Sequence, residues 1–269
     1  IRDRGADIQQ VVAGLYHNIG ILDVRAMYHS NVNLHNICWT TLDGEGNDCG
    51  NGVKFRGGEP GLLGRQMNLL THLRNEYKGR LMRATSASER ARYDALQYAT
   101  KSLVASMYGV AGDAKCPFYH PDIASSVTYT SRRTLQRLRE LCEESDHRVI
   151  YGHTDSVFVE IGTPKEGESL CRQINTEMAP IEVEFEKWCS SLLFKAKNRY
   201  AGLVSWSEGA SCPTTPYFKG IELKQSRLPE AMKTTMNHVI LSILEGKSES
   251  TVTEWLTSFV DDIVSERIP

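Results

Sequence analysis

The sequence lacks the features of a membrane-bound, secreted or zinc-binding protein. In its 269 residues no apolar run approaches the ~20 residues that span a bilayer, and its first residues lack the apolar stretch of a signal peptide. The seven cysteines are scattered and odd in number, and no CxxC pair occurs. This pattern favours reduced thiols over a disulfide framework or a zinc site. We therefore expect an intracellular protein, nuclear in a eukaryote and otherwise cytoplasmic, that is neither secreted nor bound to a membrane.

Strong charge of either sign is also missing. The formal net charge is −2, which counts mildly against nucleic-acid binding, although Lys and Arg can still be concentrated along one groove. No internal repeat or low-complexity segment occurs. With 41% hydrophobic residues the chain can bury a core as one large domain or two tightly joined ones. Because it starts without Met and ends abruptly at Pro269, we expect it to be a piece of something longer.

Hydrophobic periodicity predicts a mixture of helices and strands. Apolar and β-branched runs predict a buried strand over 14–24 that ends in Asp23, and a hairpin over 149–159 whose turn carries Asp155. Apolar residues at steps of three and four predict a helix over 62–83, which a helix over 89–107 completes as a helical hairpin. The remaining predictions are a loop over 42–58, helices over 123–144, 170–178 and 229–264, and strands over 181–185 and 192–204.

Two acids stand where phosphoryl-transfer chemistry would use them. Asp23 ends a strand and Asp155 lies in a tight hairpin turn. Two Mg²⁺ ions that activate an attacking oxygen and stabilise a leaving group need such bridging carboxylates. An Asp in a turn is more often there for its local hydrogen bonds, so these two residues alone leave both interpretations open.

The segments around these acids resemble the motifs of family B DNA polymerases. Residues 23–30, DVRAMYHS, resemble motif A, DxxSLYPS, and residues 151–156, YGHTDS, resemble motif C, YGDTDS. Between them, residues 101–109, KSLVASMYG, resemble motif B, KxxxNSxYG. Residues 198–202, NRYAG, and 219–222, KGIE, resemble the KKRYAG and KGIE segments of the family. The resemblance covers the chain from about residue 14 to its end.

This resemblance implies an α+β fold with the palm of a family B polymerase, an antiparallel sheet with flanking helices, joined to two-helix fingers and the start of a helical thumb. The implied boundaries are 1–59 for the first part of the palm, 60–109 for the fingers, 110–220 for the second part of the palm and 221–269 for the start of the thumb.

The implied activity is template-directed addition of dNTPs to a primer 3′-hydroxyl by two-metal phosphoryl transfer. Asp23 and Asp155 would be catalytic, and together with Val24 they would bind two Mg²⁺, which Mn²⁺ could replace. The implied partners are primer–template DNA, a dNTP and unidentified replication or repair subunits, without a membrane. The residues implied to bind the nucleotide are Ala26, Met27, Tyr28, Arg74, Lys78, Lys101 and Tyr108. Those implied to bind DNA are Gly109, Thr154, Lys197, Arg199, Tyr200 and Lys219.

Elementary chemistry agrees with several of these roles. A triphosphate carries about four negative charges and needs surrounding cations. Arg74 and Lys78 share a helix face because they are four residues apart, and Lys101 would be the third phosphate ligand. Any one of the three would more often be an ordinary surface charge. By the resemblance, Tyr28 would lie beneath the sugar and exclude a 2′-hydroxyl, and Tyr108 would lie against the nascent base pair.

Departures from the family pattern modify the expected activity. His153 replaces the first Asp of motif C, Ala105 the Asn of motif B, and Asn198 a duplex-contacting Lys, while Ala26 and His29 replace Ser and Pro of motif A. Asp23 and Asp155, the principal metal ligands of the family, remain, so we expect reduced or altered polymerisation. A neutral imidazole would also favour Mn²⁺ over Mg²⁺. The alternative is a catalytically degenerate polymerase fold that serves as a DNA-binding or scaffolding subunit.

Overall fold

The computed structural model describes residues 11–207, 209–222, 228–265 and 267. These residues form an α+β fold, as expected, with a mostly antiparallel sheet. The chain divides into two compact units. Among the described residues the first unit consists of 24–137 and 179–182, and the second consists of 11–23, 138–178 and the residues from 183 onward. None of the helices in these described stretches has the length and apolarity needed to cross a membrane.

Strands and helices alternate irregularly along the chain. The strands are β1 (Gly14–Val24), β2 (Leu42–Asp48), β3 (Lys54–Phe55), β4 (Val149–His153), β5 (Ser156–Glu160), β6 (Val183–Ala196), β7 (Arg199–Ser207) and β8 (Ala210–Lys219). The helices are α1 (Met27–Leu34), α2 (Leu62–Arg83), α3 (Ala87–Gly112), α4 (Pro121–Glu144), α5 (Pro164–Met178), α6 (Glu230–Leu244) and α7 (Glu249–Val264).

The second unit is built on a six-stranded sheet with the strand order β4-β5-β1-β6-β7-β8. The pairs β1–β5, β4–β5, β6–β7 and β7–β8 are antiparallel. One face of the sheet buries a cluster in which the Tyr151, Phe158 and Phe194 rings pack edge to face or tilted, with centroids 5.2–5.6 Å apart. This packing fixes the strand that carries Asp23 and the two strands whose turn carries Asp155.

The first unit is mainly helical, with the short β2–β3 ribbon at its side. Its core includes Val32, Ile37, Leu63, Met67 and Val127, all at most 2% exposed. Only the start of α2 and two residues of α3 are buried, so the hairpin that these two helices form extends away from the core. We attribute its integrity to contacts between the two helices and to its caps.

Local chemistry explains how α3 begins. The Ser86 hydroxyl accepts a hydrogen bond from the Glu89 backbone N–H at 3.2 Å, and the Glu89 carboxylate accepts one from the Ser86 N–H at 3.4 Å. This reciprocal capping box satisfies two N–H groups that a helix N-terminus leaves without partners. The turn between α2 and α3 therefore ends at Ser86, in the gap between the helices predicted over 62–83 and 89–107.

Several predicted elements are confirmed and others need correction. The strand over 14–24, the helix over 62–83 and the hairpin over 149–159 are confirmed. The loop predicted over 42–58 is wrong in part, because β2 and β3 pair there despite their glycines. The helix predicted over 89–107 is longer, since it begins at Ala87 and continues to Gly112.

The last third of the chain differs most from the prediction. The strand predicted over 181–185 overlaps the start of β6. The strand predicted over 192–204 is wrong as a single element, because it spans the end of β6, a turn at 197–198 and part of β7. Register shifts in the β6–β7 pairing also disturb the alternation of buried and exposed residues. The edge strand β8 was missed because its polar, Pro-containing sequence and exposed face give little hydrophobic signal. The helical region over 229–264 is two helices, since Gly246 adopts a φ of 72° just beyond α6.

Candidate active site

In the second unit Asp23 lies near the end of β1, and Asp155 lies in the turn between β4 and the neighbouring strand β5. In the antiparallel β1–β5 pair Asp23 stands opposite Ser156, the residue that directly follows Asp155. The apolar run before Asp23 buries Ile21 and Leu22, at 3% and 0% exposure, and so fixes the end of β1. The register thus brings together two carboxylates that are separated by more than a hundred residues in sequence.

A tight turn presents Asp155. The Asp155 N–H donates to the His153 carbonyl at 2.6 Å, and Thr154 between them has a φ of +50°. A hydrogen bond from residue i+2 to residue i, with a positive φ at the residue between them, is the pattern of a γ-turn, which is a strained conformation. Thr154 is β-branched, and a positive φ is rare for such residues. Such strain is concentrated at functional sites because the surrounding structure must hold it in place.

The surroundings of both carboxyl groups oppose their ionisation. Burial raises the pKa of Asp23 to about 7, and the negative charges of Asp155, Glu186 and Glu184 add to the shift against the opposing Lys187. Burial also raises the pKa of Asp155, with a contribution from Glu186, whereas a backbone hydrogen bond and Lys219 act in the opposite direction. At Asp23 the neighbouring carboxylates thus outweigh the opposing lysine, whereas at Asp155 Lys219 has a larger effect than Glu186.

Sequence reasoning missed Glu184 and Glu186 on β6. Both contribute negative charge at Asp23, and the Glu186 carboxylate also accepts a hydrogen bond from Lys187. The alternation of these glutamates with buried Val183 and Phe185 was the available signal, because alternate residues of a strand share a face.

This carboxylate site is compatible with divalent cations. Within the described residues no group of three or more His, Cys, Asp or Glu side chains is arranged to enclose a metal ion. Mg²⁺ is commonly held by one or two carboxylates together with substrate phosphates and water, so the pair Asp23 and Asp155 fits that mode of binding. The carboxylates of Glu184 and Glu186, which add negative charge at Asp23, fit it as well.

His153 ends β4 with its imidazole half-buried. Burial lowers the pKa of His153, and the positive charges of Lys219 and Lys197 lower it further, while a backbone hydrogen bond opposes them. The neutral imidazole is thus favoured at neutral pH. A carboxylate at this position would instead be attracted by the two lysines.

Asn198 connects the β6–β7 turn to motif C. Its side-chain oxygen accepts a hydrogen bond from the Tyr151 hydroxyl at 3.1 Å, and its N–H donates to the same hydroxyl at 3.3 Å. Its φ of 61° suits asparagine, which tolerates the left-handed conformation better than lysine does. The replacement of Lys by Asn therefore has a structural explanation in this chain.

The predicted DNA-binding residues of the second unit differ in accessibility. Lys197 is exposed, whereas Arg199 pairs with Glu222 at 3.0 Å, and Glu222 also pairs with Lys195 at 3.1 Å. Tyr200 is 2% exposed and packs in the core. Its ring therefore supports the sheet, and the Lys219 ammonium lies 5.7 Å from the centre of that ring.

The first unit brings together two of the predicted nucleotide-binding residues. The rings of Tyr28 and Tyr108 stack with centroids 4.9 Å apart and planes 21° from parallel. Met27 is buried, and Ala26, which precedes α1, has a φ of +47° that is costly for a residue with a Cβ. The Tyr28–Tyr108 pair thus joins the start of α1 to α3.

Three predicted phosphate ligands lie on α2 and α3. Lys78 and Lys101 are exposed, and the buried Arg74 Nε has no hydrogen-bond partner among the described residues. By contrast, Arg80 on another face of α2 pairs with Glu76.

Gly109 and Ala105, the two remaining motif B positions, are not enclosed by other residues of the chain. A Cβ at Gly109 would meet no atom within 4 Å, so packing inside the chain does not require glycine there. Ala105 on α3 is exposed.

The second unit thus carries a pair of neighbouring carboxylates at one end of an antiparallel strand pair, and such carboxylate pairs are compatible with metal-dependent phosphoryl transfer. The family model described as "DNA polymerase family B" matches residues 3–268, so the chain belongs to that family. This confirms the resemblance inferred from the motifs.

Similar proteins include the catalytic subunit of DNA polymerase alpha from Saccharomyces cerevisiae, which is 28% identical over 93% of this chain and 18% of its own length. The DNA polymerase of Archaeoglobus fulgidus is 30% identical over 97% of this chain and 32% of its own length. The corresponding DNA polymerase alpha protein of Xenopus laevis is 26% identical over 98% of this chain and 20% of its own length. The chain thus spans between about a fifth and a third of these relatives.

Proposed function

We propose that this chain is the catalytic core of a template-directed DNA polymerase that adds dNTPs to a primer 3′-hydroxyl. The observation that carries the proposal is the register that places Asp23 opposite Ser156 and hence beside Asp155, with the negative charge of Glu184 and Glu186 acting at Asp23. The names of the relatives, all DNA polymerases or their catalytic subunits, support the same activity.

In this proposal the residues 1–59 and 110–220 form the palm, 60–109 form the fingers and 221–269 begin the thumb. The extended α2–α3 hairpin supports the fingers assignment, because it buries few of its own residues. Its ends would move with less disruption than the packed sheet of the second unit.

Asp23 and Asp155 would hold two Mg²⁺, with the main chain at Val24 as a further ligand. When bound, these ions would lower the pKa of the primer hydroxyl and neutralise the charge of the departing pyrophosphate. The protein contributes the fixed separation of the two carboxylates, which β1, β4 and β5 determine. It also holds the strained turn at Thr154 that presents Asp155.

The first unit would bind the incoming nucleotide. Arg74, Lys78 and Lys101 would bind the triphosphate, and the unsatisfied Arg74 Nε supports a role in accepting an anion. The stacked rings of Tyr28 and Tyr108 offer a flat apolar surface for the sugar and the nascent base pair. The N–H groups of Ala26 and Met27 would donate to phosphate oxygens, a role that depends little on their side chains.

The duplex would be held by backbone contacts that carry no sequence information. Lys197 and Lys219 would contact phosphates, as would Arg199 in exchange for its Glu222 partner. Tyr200 would contribute by supporting the strand beside Arg199, since its ring is buried. Gly109 and Thr154 complete the proposed DNA-binding set, and the open space at Gly109 would admit the template strand.

The test is primer extension by the full-length protein that contains this chain, with Mg²⁺ and with Mn²⁺. We expect extension with at least one of the two ions and its loss in Asp155→Ala. The positive charges of Lys197 and Lys219 act at position 153 and would stabilise a carboxylate there. His153→Asp restores the carboxylate of the family motif, so it should raise the rate of extension with Mg²⁺. Equal extension by Asp155→Ala, or none by the unsubstituted protein with either ion, would overturn the proposal.

A second candidate function is a degenerate polymerase fold that binds DNA without catalysis. The neutral imidazole of His153 favours it, because the family has a carboxylate there. DNA binding without extension by either the unsubstituted protein or His153→Asp would establish this alternative.

A further inference from the structure

Helices α1 and α2 of the first unit are joined by a small polar network. The His29 Nε2 lies 2.7 Å from the Asn68 side-chain oxygen, and the Asn33 side-chain N–H donates to the same oxygen at 2.9 Å. The Thr71 hydroxyl lies 3.4 Å from His29 Nδ1. Because the Asn68 oxygen can only accept, His29 Nε2 must be the donor, which leaves Nδ1 free to accept from Thr71.

Each helix presents this network on a single face. His29 and Asn33 are four residues apart on α1, and Asn68 and Thr71 are three apart on α2. One turn before Asn68, a Cβ at Gly64 would lie 2.8 Å from the Asn33 side-chain oxygen, so glycine allows the two helices to approach. The network is therefore part of how α1 and α2 fit together.

Helix α1 is itself well anchored. Asn31 is fully buried, donates to the Met27 carbonyl at 2.9 Å and accepts from the Thr134 hydroxyl of α4 at 3.0 Å. Val32 packs in the core of the unit. Any link from α1 therefore ties α2 to the rigid part of the first unit.

The same face of α2 continues toward the proposed phosphate ligands. Positions 64, 68, 71, 74 and 78 are successive steps of three or four and form one stripe along the helix. The network holds the beginning of the stripe, and Arg74 and Lys78 lie further along it. A rotation of α2 about its axis would thus move the network and both cations together.

We propose that His29 and Asn68 form a clamp that fixes the rotation of α2 and thereby sets the affinity for the incoming dNTP. The proposal rests on the proposed function, since it assigns Arg74 and Lys78 to the triphosphate. His29 stands where the family motif has Pro, and it is a positioning residue because it acts through α2. Loss of the clamp lets the two cations leave the geometry that the triphosphate needs.

The test is dNTP binding to the full-length protein on a primer–template whose primer ends in a dideoxynucleotide, so that no chemistry follows. We expect His29→Ala and Asn68→Ala each to weaken binding about 5-fold, the scale of one lost hydrogen bond. The double variant should resemble Asn68→Ala alone, because the two residues act as one unit. His29→Gln should restore most of the affinity, and His72→Ala, an exposed site on the same helix, should leave it unchanged.

Extension kinetics separate positioning from general damage. With an extendable primer, the KM for dNTP should rise by the same factor while kcat stays within about 2-fold, since saturating nucleotide restores the geometry. Unchanged affinity in both single variants, or effects that multiply in the double variant, would overturn the clamp.

Hydrogen exchange keeps the clamp testable apart from catalysis. Amides over 72–80 should exchange faster in His29→Ala and Asn68→Ala than in the unsubstituted protein or His72→Ala. If the unsubstituted protein binds no dNTP, the proposed function fails, and this comparison still decides the clamp. Identical exchange in all four proteins would show that the network does not hold α2.

Discussion

At the scale of single residues, the raised pKa of Asp23 indicates what its site binds. The folded protein places this carboxyl group where burial and three neighbouring carboxylates oppose its charge, and its pKa rises to about 7. A group selected for stability alone would not be placed there. The arrangement is sensible when a cation shares the site, because the cation offsets the repulsion that the apo fold must tolerate.

Asp23→Asn should therefore stabilise the protein in EDTA, and more at pH 8 than at pH 5. The unfolded carboxyl ionises near pH 4 and the folded one near 7, so stability falls between these values as pH rises. Asparagine removes that loss, which we expect to be about 2 kcal/mol at pH 8 after allowing for partial solvent exposure. Denaturant unfolding at both pH values measures it, with the exposed Asp94→Asn as the control. An equal effect of Asp23→Asn at both pH values would contradict this account.

Gly220 is the second residue whose identity the structure explains. It has a φ of +64°, and a Cβ there would lie 1.9 Å from the Asn198 carbonyl oxygen. Gly220→Ala should therefore lower the free energy of unfolding by more than about 2 kcal/mol, since strain and a backbone clash combine. Gly209 provides a matched control, because its φ is +82° but a Cβ would meet no atom within 4 Å. Gly209→Ala should cost about 1 kcal/mol, and equal losses in the two variants would refute the clash.

At the scale of elements, the α2–α3 hairpin depends on its local caps more than the sheet does. We expect Ser86→Ala to cost about 1 kcal/mol of local stability at the start of α3, because the capping box is lost. Hydrogen exchange at the first amides of α3 should become about 5-fold faster, while exchange in β6 and β7 should not change. Ser102→Ala on the exposed middle of α3 is the control. Faster exchange throughout the sheet would mean that the hairpin does not open by itself.

Elements with strong hydrophobic or capping signals were predictable from the sequence. The strand that ends near Asp23 and the helix over 62–83 both appear where the sequence places them, and the helical hairpin that it predicts is formed by α2 and α3. β8 was not predictable, because it is stabilised by pairing with β7 and not by burial of its own side chains. Exposure on α3 depends on tertiary structure in the same way: Leu103 is 54% exposed since α3 extends away from the core.

The candidate site was predictable only where a motif marked it. Asp23 and Asp155 were identified in this way, and the β1–β5 register explains their proximity. The local alternation on β6 marks a strand face for Glu186 but not the strand beside it. The charge of Glu186 at Asp23 and the contact between His29 and Asn68 both depend on the approach of distant segments, which a local pattern does not encode. The burial of Tyr200 likewise depends on the neighbouring strands that cover its ring.

At the scale of the whole molecule, the net charge of −2 gives no general attraction for DNA. Binding must come from local cations, and the β6–β7 turn with the end of β8 supplies Lys197 and Lys219. Glu222 partly neutralises Lys195 and Arg199 nearby. Lys197 and Lys219 should therefore provide a large part of the electrostatic contact with DNA from this region.

The salt dependence of DNA binding tests this distribution of charge. Each phosphate contact that is removed should reduce the slope of log K against log salt concentration by about 1, so the double variant Lys197→Ala, Lys219→Ala should lose about 2. The affinity should fall uniformly across duplex sequences, because phosphate contacts position the protein without reading bases. Lys165→Ala, an exposed lysine on α5, should leave the slope unchanged. If the slope is unchanged in the double variant, the duplex binds to another surface of the protein. If Lys165→Ala reduces the slope equally, the total charge of the protein governs DNA binding, and the β6–β7 turn does not.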